Sequence, residues 1–246
     1  MNLAAEEIHL WLSFERPADE PALIERTSIL QPAECARLDN AHSAETRMRL
    51  LATRVMQRTV LARYAPGVEP AALRFVKGEH GKPALAPEFA ALGLHFNLAH
   101  TAGLVVLAVS RHRDVGVDAE NIHERTTALR LARRYFTAEE ARNLEALPIE
   151  HQPARFYSLW TLKEAWMKAT GRGVGAGLDN AAFSLDADHQ VQGLSFAAYD
   201  ASDWRFWQFK PSAEHVLAVA LRAPGATRGV NVTTQEWRPD AFTHPL

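Results

Sequence analysis

The stretch 101-TAGLVVLAV-109 returns in outline as 212-SAEHVLAVA-220 in the second half of the chain. Each is a run of branched and small apolar residues, too short for an ordinary helix and suited to a buried strand. Outward from these runs an order repeats: a long helix, a short strand, then the apolar strand late in each half. That order predicts an α+β fold of two pseudo-symmetric halves, the first over 1–112 and the second over 113–246, with a ligand cleft between them. The residues from Ala223 on, rich in Pro, Thr and Gly, read as a trailing C-terminal arm of the second half.

Within the first half, 45-ETRMRLLATRVMQRTVLARY-64 carries Met48, Leu51, Val55, Thr59 and Ala62 at helical spacing, and Pro66-Gly67 ends it. Arginines occupy the rest of the circumference, where a solvated surface is the ordinary expectation. The pieces 73-LRFV-76 and 104-LVVLAV-109 read as strands. After 111-RHRD-114 the chain returns as 115-VGVD-118, which reads as a hairpin with the preceding run. In the second half, Thr137 and Glu140 form a capping box that predicts a helix over 138–147 stopped by Pro148. A longer helix over 153–171 follows, with Gly171 as its stop. The segments 183-FSL-185, 204-WRFWQF-209 and 215-HVLAVAL-221 read as strands.

Composition narrows the function. The 246 residues are 47% hydrophobic, enough for a sizeable core, and 27 basic against 29 acidic residues give a formal charge of −2. A near-neutral chain lacks the positive excess of a non-specific nucleic-acid or membrane binder, so any phosphate site is local. The N-terminus has acidic residues where a secretory signal has basic ones, and no apolar run approaches the ~20 residues needed to span a bilayer; the expectation is a cytoplasmic protein. Cys35 stands alone, which excludes an internal disulfide and any multi-cysteine zinc site. The phosphate-binding, dinucleotide, zinc-protease and nucleophile-elbow motifs G-x-x-x-x-G-K-[ST], G-x-G-x-x-G after a strand, H-E-x-x-H and G-x-S-x-G are all missing.

Five local features could carry chemistry, against the plain alternatives of a turn, a salt bridge or a solvated surface. Asp118 and Glu120, two apart on a strand, project to one side; a strand-end turn or a Mg²⁺ site would both explain them. Glu164 and Lys168, four apart on a helix, could be a surface salt bridge worth only ~0.3–0.5 kcal/mol. Beside Phe156, Trp160, Trp166 and Met167 they could instead serve a phosphoryl group, as ligand or base and counter-charge. His100 precedes the first apolar strand, and Lys82 in 81-GKP-83 offers an amine to an anion. Arg47, Arg54 and Arg58 are neighbours by helical spacing and could cradle a phosphate.

In order, GKP, FNLAHT, VGVDAE and WTLKEAWMKATGRG resemble the 4′-phosphopantetheinyl transferases of the surfactin-synthetase-activating type. The resemblance runs from the first long helix to the strands after Gly177. It implies two α+β halves with coenzyme A between them, and transfer of phosphopantetheine to a serine of an apo carrier protein with release of 3′,5′-ADP. By the family pattern Asp118, Glu120 and Glu164 hold Mg²⁺, and Glu164 or a metal-bound water takes the serine proton. Lys168 stabilises the departing phosphate, and His100 and Lys82 contact coenzyme A phosphates. Pro83 shapes the wall near the adenine, and Arg49 and Arg54 are the first-helix candidates. Ala99 and Thr101 replace the serines that flank the histidine in many relatives, so one nucleotide contact is lost. Some relatives lack the second acid, which makes Glu120 the least essential of the three.

Two other readings of the acids remain: a metal-dependent phosphodiesterase or nuclease, and a non-catalytic module that binds carrier proteins. The carrier served, whether of fatty acid, polyketide, peptide or siderophore synthesis, is not encoded in these motifs. An acidic carrier helix would meet a local basic patch, for which Arg130, Arg133 and Arg134 are the candidates. Two halves in one chain point to a monomer.

Overall fold

The computed structural model describes residues 1–78, 80–122, 128–172, 177–225 and 229–241. Its regular elements run β1 (Glu7–Phe14), α1 (Glu20–Glu25), α2 (Pro32–Asp39), α3 (Ala44–Ala62), β2 (Phe75–Lys77), β3 (Pro83–Leu85), β4 (Leu94–Thr101) and β5 (Leu104–Arg111). The chain continues as β6 (Val115–Asn121), α4 (Ala128–Tyr135), α5 (Ala138–Glu145), α6 (Gln152–Thr170), β7 (Ala181–Leu185), β8 (Val191–Phe196), β9 (Trp204–Ser212), β10 (His215–Arg222) and β11 (Asn231–Glu236). The fold is α+β, in two compact units: 1–77 with 83–112 and 230–246, and 78–82 with 113–229.

In the first unit the sheet order is β11-β1-β5-β4, with β1 parallel to β11 and antiparallel to β5. The 19-residue α3 starts on Ser43, whose hydroxyl accepts from the Thr46 amide. Its apolar face, Leu51, Val55, Met56 and Val60, packs in one core with Trp11, Phe96, Val105, Leu107 and Val109. Arg58, on the same helix, is not solvated: it is buried, paired with Glu34 at 2.7 Å and bonded to the carbonyls of Pro70 and Leu73. Residues 231–236, placed by sequence in a trailing arm, form the strand beside β1. Just beyond them Trp237 is buried, donating its amide to Leu12 O and its indole N–H to Thr59.

In the second unit β10 lies between β6 and β9, antiparallel to both. Another 19-residue helix, α6, packs on β6 and β10 and ends at Gly171, whose φ of 67° is the left-handed conformation of a helix stop. Thr137 and Glu140 make the expected capping box on α5. Both apolar runs quoted at the outset are thus the middle strand of a sheet, flanked on each side by antiparallel neighbours, which is why each reads as continuously buried.

The expected hairpin between 104–109 and 115–118 does not form. Both edges of β5 are taken, by β1 and β4, and β6 pairs with β10. The connection leaves β5 at His112, in left-handed conformation with its amide on Gly93 O, and enters β6 where Asp114 O accepts from the Arg222 amide. The hairpin of the first unit is instead β4–β5, so His100 lies within a strand, opposite Val105.

Candidate active site

Strand alternation puts Gly116, Asp118 and Glu120 on one face of β6 and the buried Val115, Val117 and Ala119 on the other. Gly116 decides what that face can meet. A Cβ there would stand 2.0 Å from Ala165 O and 2.4 Å from Ala169 N, so α6 rests its backbone directly on the strand. Across the ladder, Ala220 faces Gly116 and Ala218 faces Asp118, which keeps the surface under the helix low.

This close approach gives the acids a cation. Lys168 Nζ donates to Asp118 Oδ1 at 2.6 Å, so its ion pair is made across the seam to β6 and not along the helix surface to Glu164. Asp118 is buried, and Glu164, one turn before Lys168, is half-buried. Burial first, and the Asp118 charge second, hold Glu164 above the usual carboxylate range, with Lys168 opposing. Asp118, Glu164 and Lys168 are therefore one electrostatic group. Glu120 follows two residues on, half-buried and opposite Val216.

Lys82 belongs to the same unit, and its amine is engaged. It donates to Val115 O at 3.0 Å and Ala169 O at 3.1 Å, tying the start of β6 to the end of α6. The carbonyl end of a helix carries partial negative charge, which favours an ammonium there. Burial nonetheless lowers the Lys82 pKa. The remaining expected contacts lie in the first unit. His100 is exposed near the end of β4, and Pro83 opens β3 opposite Lys77. Arg49 pairs with Glu15 and, at 2.8 Å, with Glu45, on the border of a cavity of about 320 Å³. Arg54 bonds the neutral Gln57 amide at 2.7 Å, and burial lowers its pKa. Arg130, Arg133 and Arg134 are exposed on α4; Arg133 pairs with Glu145, and Arg134 lies over the Tyr135 ring.

Among the described residues no group of three or more His, Cys, Asp or Glu side chains is placed to hold a metal. Asp118 and Glu164 are near enough for one charge to act on the other, and Mg²⁺ asks for only one or two protein carboxylates together with substrate phosphates. Sequence reasoning missed two residues of this region. Gly116 was within reach, since a lone glycine in a strand marks close backbone approach. Lys163, beside Glu164, looks like surface in sequence yet is fully buried.

The model of the 4′-phosphopantetheinyl transferase superfamily matches residues 114–220, and that of the 4′-phosphopantetheinyl transferase N-terminal region matches residues 17–112. The 4′-phosphopantetheinyl transferase HetI of Nostoc sp. is 34% identical over 227 residues, 92% of each chain. The chain belongs to the 4′-phosphopantetheinyl transferase superfamily. The Bacillus subtilis 4′-phosphopantetheinyl transferase Sfp is 28% identical over 177 residues, 72% of this chain and 76% of its own. The rat L-aminoadipate-semialdehyde dehydrogenase-phosphopantetheinyl transferase is 28% identical over 227 residues, 84% and 72% of the two chains. Within this phosphopantetheinyl transferase, Asp118, Glu120, Glu164 and Lys168 fall inside the first matched segment, and Arg49, Arg54, Lys82, Pro83 and His100 inside the second. No helix of the described residues is long and apolar enough to cross a membrane.

Proposed function

We propose that this transferase moves 4′-phosphopantetheine from coenzyme A to the serine hydroxyl of an apo carrier protein. The serine oxygen forms a bond to the phosphorus that bears pantetheine, the bond from that phosphorus to the bridging pyrophosphate oxygen breaks, and 3′,5′-ADP leaves with the electron pair. The observation that carries the reading is the Asp118–Lys168–Glu164 group held on the Gly116 seam.

Glu164 accepts the serine proton, a role suited to a carboxylate whose pKa is raised by burial above that of a solvated one. Lys168 opposes the charge that grows on the departing oxygen, and its bond to Asp118 fixes where that charge is met. Asp118 and Glu164, with Glu120 as the weaker third, would hold Mg²⁺. When bound, the ion would neutralise the pyrophosphate and polarise its phosphorus. Lys82 uses two of its three N–H donors on carbonyls, leaving one for a coenzyme A phosphate. His100 is exposed for the same purpose, Arg54, held by a neutral amide, is better placed to turn to an anion than Arg49, and Pro83 would line the adenine. Because one chain carries both family segments, we place the activity in a monomer.

The deciding experiment is intact mass spectrometry of apo carrier proteins incubated with this protein, coenzyme A and Mg²⁺, with an EDTA control. A gain of one phosphopantetheine only when metal is present is the expected result. No gain on any of several carriers, with hydrolysis of coenzyme A in their absence, would replace the transfer reading by a phosphodiesterase.

A further inference from the structure

Lys163 lies wholly inside the second unit, one residue before Glu164, and nothing in the proposed chemistry uses it. Its side chain is 0% exposed. The ammonium is paired with Glu140 Oε2 at 2.8 Å and donates to Leu178 O at 3.0 Å and to Ala181 O. These three acceptors match its three N–H groups, and the rings of Phe136 and Phe183 lie 5.2 and 5.8 Å away. Glu140 is equally engaged: it accepts from the Thr137 amide and hydroxyl at 2.9 Å each and from the Phe183 amide at 2.9 Å. One lysine on α6 is therefore fixed to the first turn of α5, to residue 178 and to the start of β7.

We infer that Lys163, through Glu140 and the Leu178 and Ala181 carbonyls, is a positioning residue that sets the rotation of α6 and so aims Glu164 and Lys168 at Asp118. Successive helical residues are separated by a fixed turn of 3.6 residues per revolution, so holding one side chain holds the azimuth of the next. The seam at Gly116 is low, made of glycine and alanines, and offers no interlocking side chain of its own against rotation or sliding. The three charge-assisted bonds of Lys163 add a directional restraint to the apolar packing of α6 and to the Lys82 bond at its end. The inference rests on the transfer reading above.

The test uses the full chain, comparing wild type with Lys163→Met, Glu140→Gln and the double variant. Tm is followed, with kcat and KM for coenzyme A measured well below it. Lys163→Met alone strands a buried carboxylate and lowers Tm. The double variant leaves no unpaired buried charge and is expected to recover most of that Tm, while kcat stays at least about tenfold down and KM within about twofold, as for a misaimed catalytic group. Glu140→Gln keeps an acceptor for the Phe183 amide but strands the Lys163 ammonium, so it is likewise expected to lower Tm, with kcat reduced severalfold. Recovery of wild-type kcat along with Tm in the double variant, or full kcat in Glu140→Gln, overturns the inference alone. Absence of transfer by the wild type removes the transfer reading and this inference with it.

Discussion

Lys168 Nζ and Asp118 Oδ1 are 2.6 Å apart, although one belongs to a helix and the other to a strand fifty residues earlier. A pair made across a seam depends on both surfaces staying in register. That dependence separates the roles of the acids. Asp118→Ala and Glu164→Ala are expected to lower kcat by about 10²- to 10³-fold or more, the scale of removing a main electrostatic or proton-transfer group. Glu120→Ala should weaken turnover only in part. Steady-state loading of an apo carrier measures all three, and equal activities would refute the assignment of the acids to a metal.

Gly116 predicts a coupled loss. Any side chain at this position meets the Ala165 carbonyl and the Ala169 amide, which are backbone atoms and cannot step aside. Gly116→Val should therefore cost about 1–3 kcal/mol as an overpacked contact, or roughly 3–10 °C in Tm for a chain of this size. It should also lower kcat, because lifting α6 lengthens the Lys168–Asp118 bond. A variant with wild-type Tm would show that the helix does not rest on the strand.

Glu164 predicts a pH signature. Its folded-state pKa is raised, chiefly by burial, so relative to the unfolded chain the folded protein favours the protonated form. The stability linked to this group is full below the unfolded value near 4.3 and is lost as pH rises through the raised folded value. Glu164→Gln mimics the neutral form at every pH. In EDTA its Tm should match wild type in acid and exceed it once pH passes the raised pKa. A Tm difference that is constant from pH 4 to 8 would contradict the shift.

The exposed arginines of α4 predict a carrier effect. Replacing Arg130, Arg133 and Arg134 by Glu should raise KM for an acidic carrier severalfold, with KM for coenzyme A unchanged. Because Arg133 already pairs with Glu145, the triple variant is needed. An unchanged carrier KM would remove this surface from consideration.

What could be read from sequence was what local pattern controls. The periodicity of α3 and α6, the capping box of α5 and the apolar runs of β5 and β10 all gave elements where they stand. Pairing was less legible. The nearness of 104–109 and 115–118 suggested a hairpin, but strand partners are chosen by the whole sheet, and β6 found β10 about a hundred residues on. NVTTQE in β11 presents mostly exposed side chains and carries little pattern of its own. Buried cations were the other blind spot. Arg58 and Lys163 look like solvated surface until their carboxylates, Glu34 and Glu140, are seen beside them. The acids of β6, Asp118 and Glu120, were visible, but the glycine that lets a helix reach them was not singled out.

The strand β11 has a consequence for the nascent chain. Synthesis runs from the N-terminus at about 5–20 residues per second, so residues 1–112 emerge long before the strand that borders β1. Residues 113–229, by contrast, hold every strand of their own sheet and can close first. Until Asn231–Glu236 and Trp237 arrive, β1 keeps an open edge of the kind that recruits stray strands. The first part made is thus the last part finished, and a stalled ribosome anywhere before residue 230 releases a fragment with the β1 edge bare, where the finished chain covers that edge with β11.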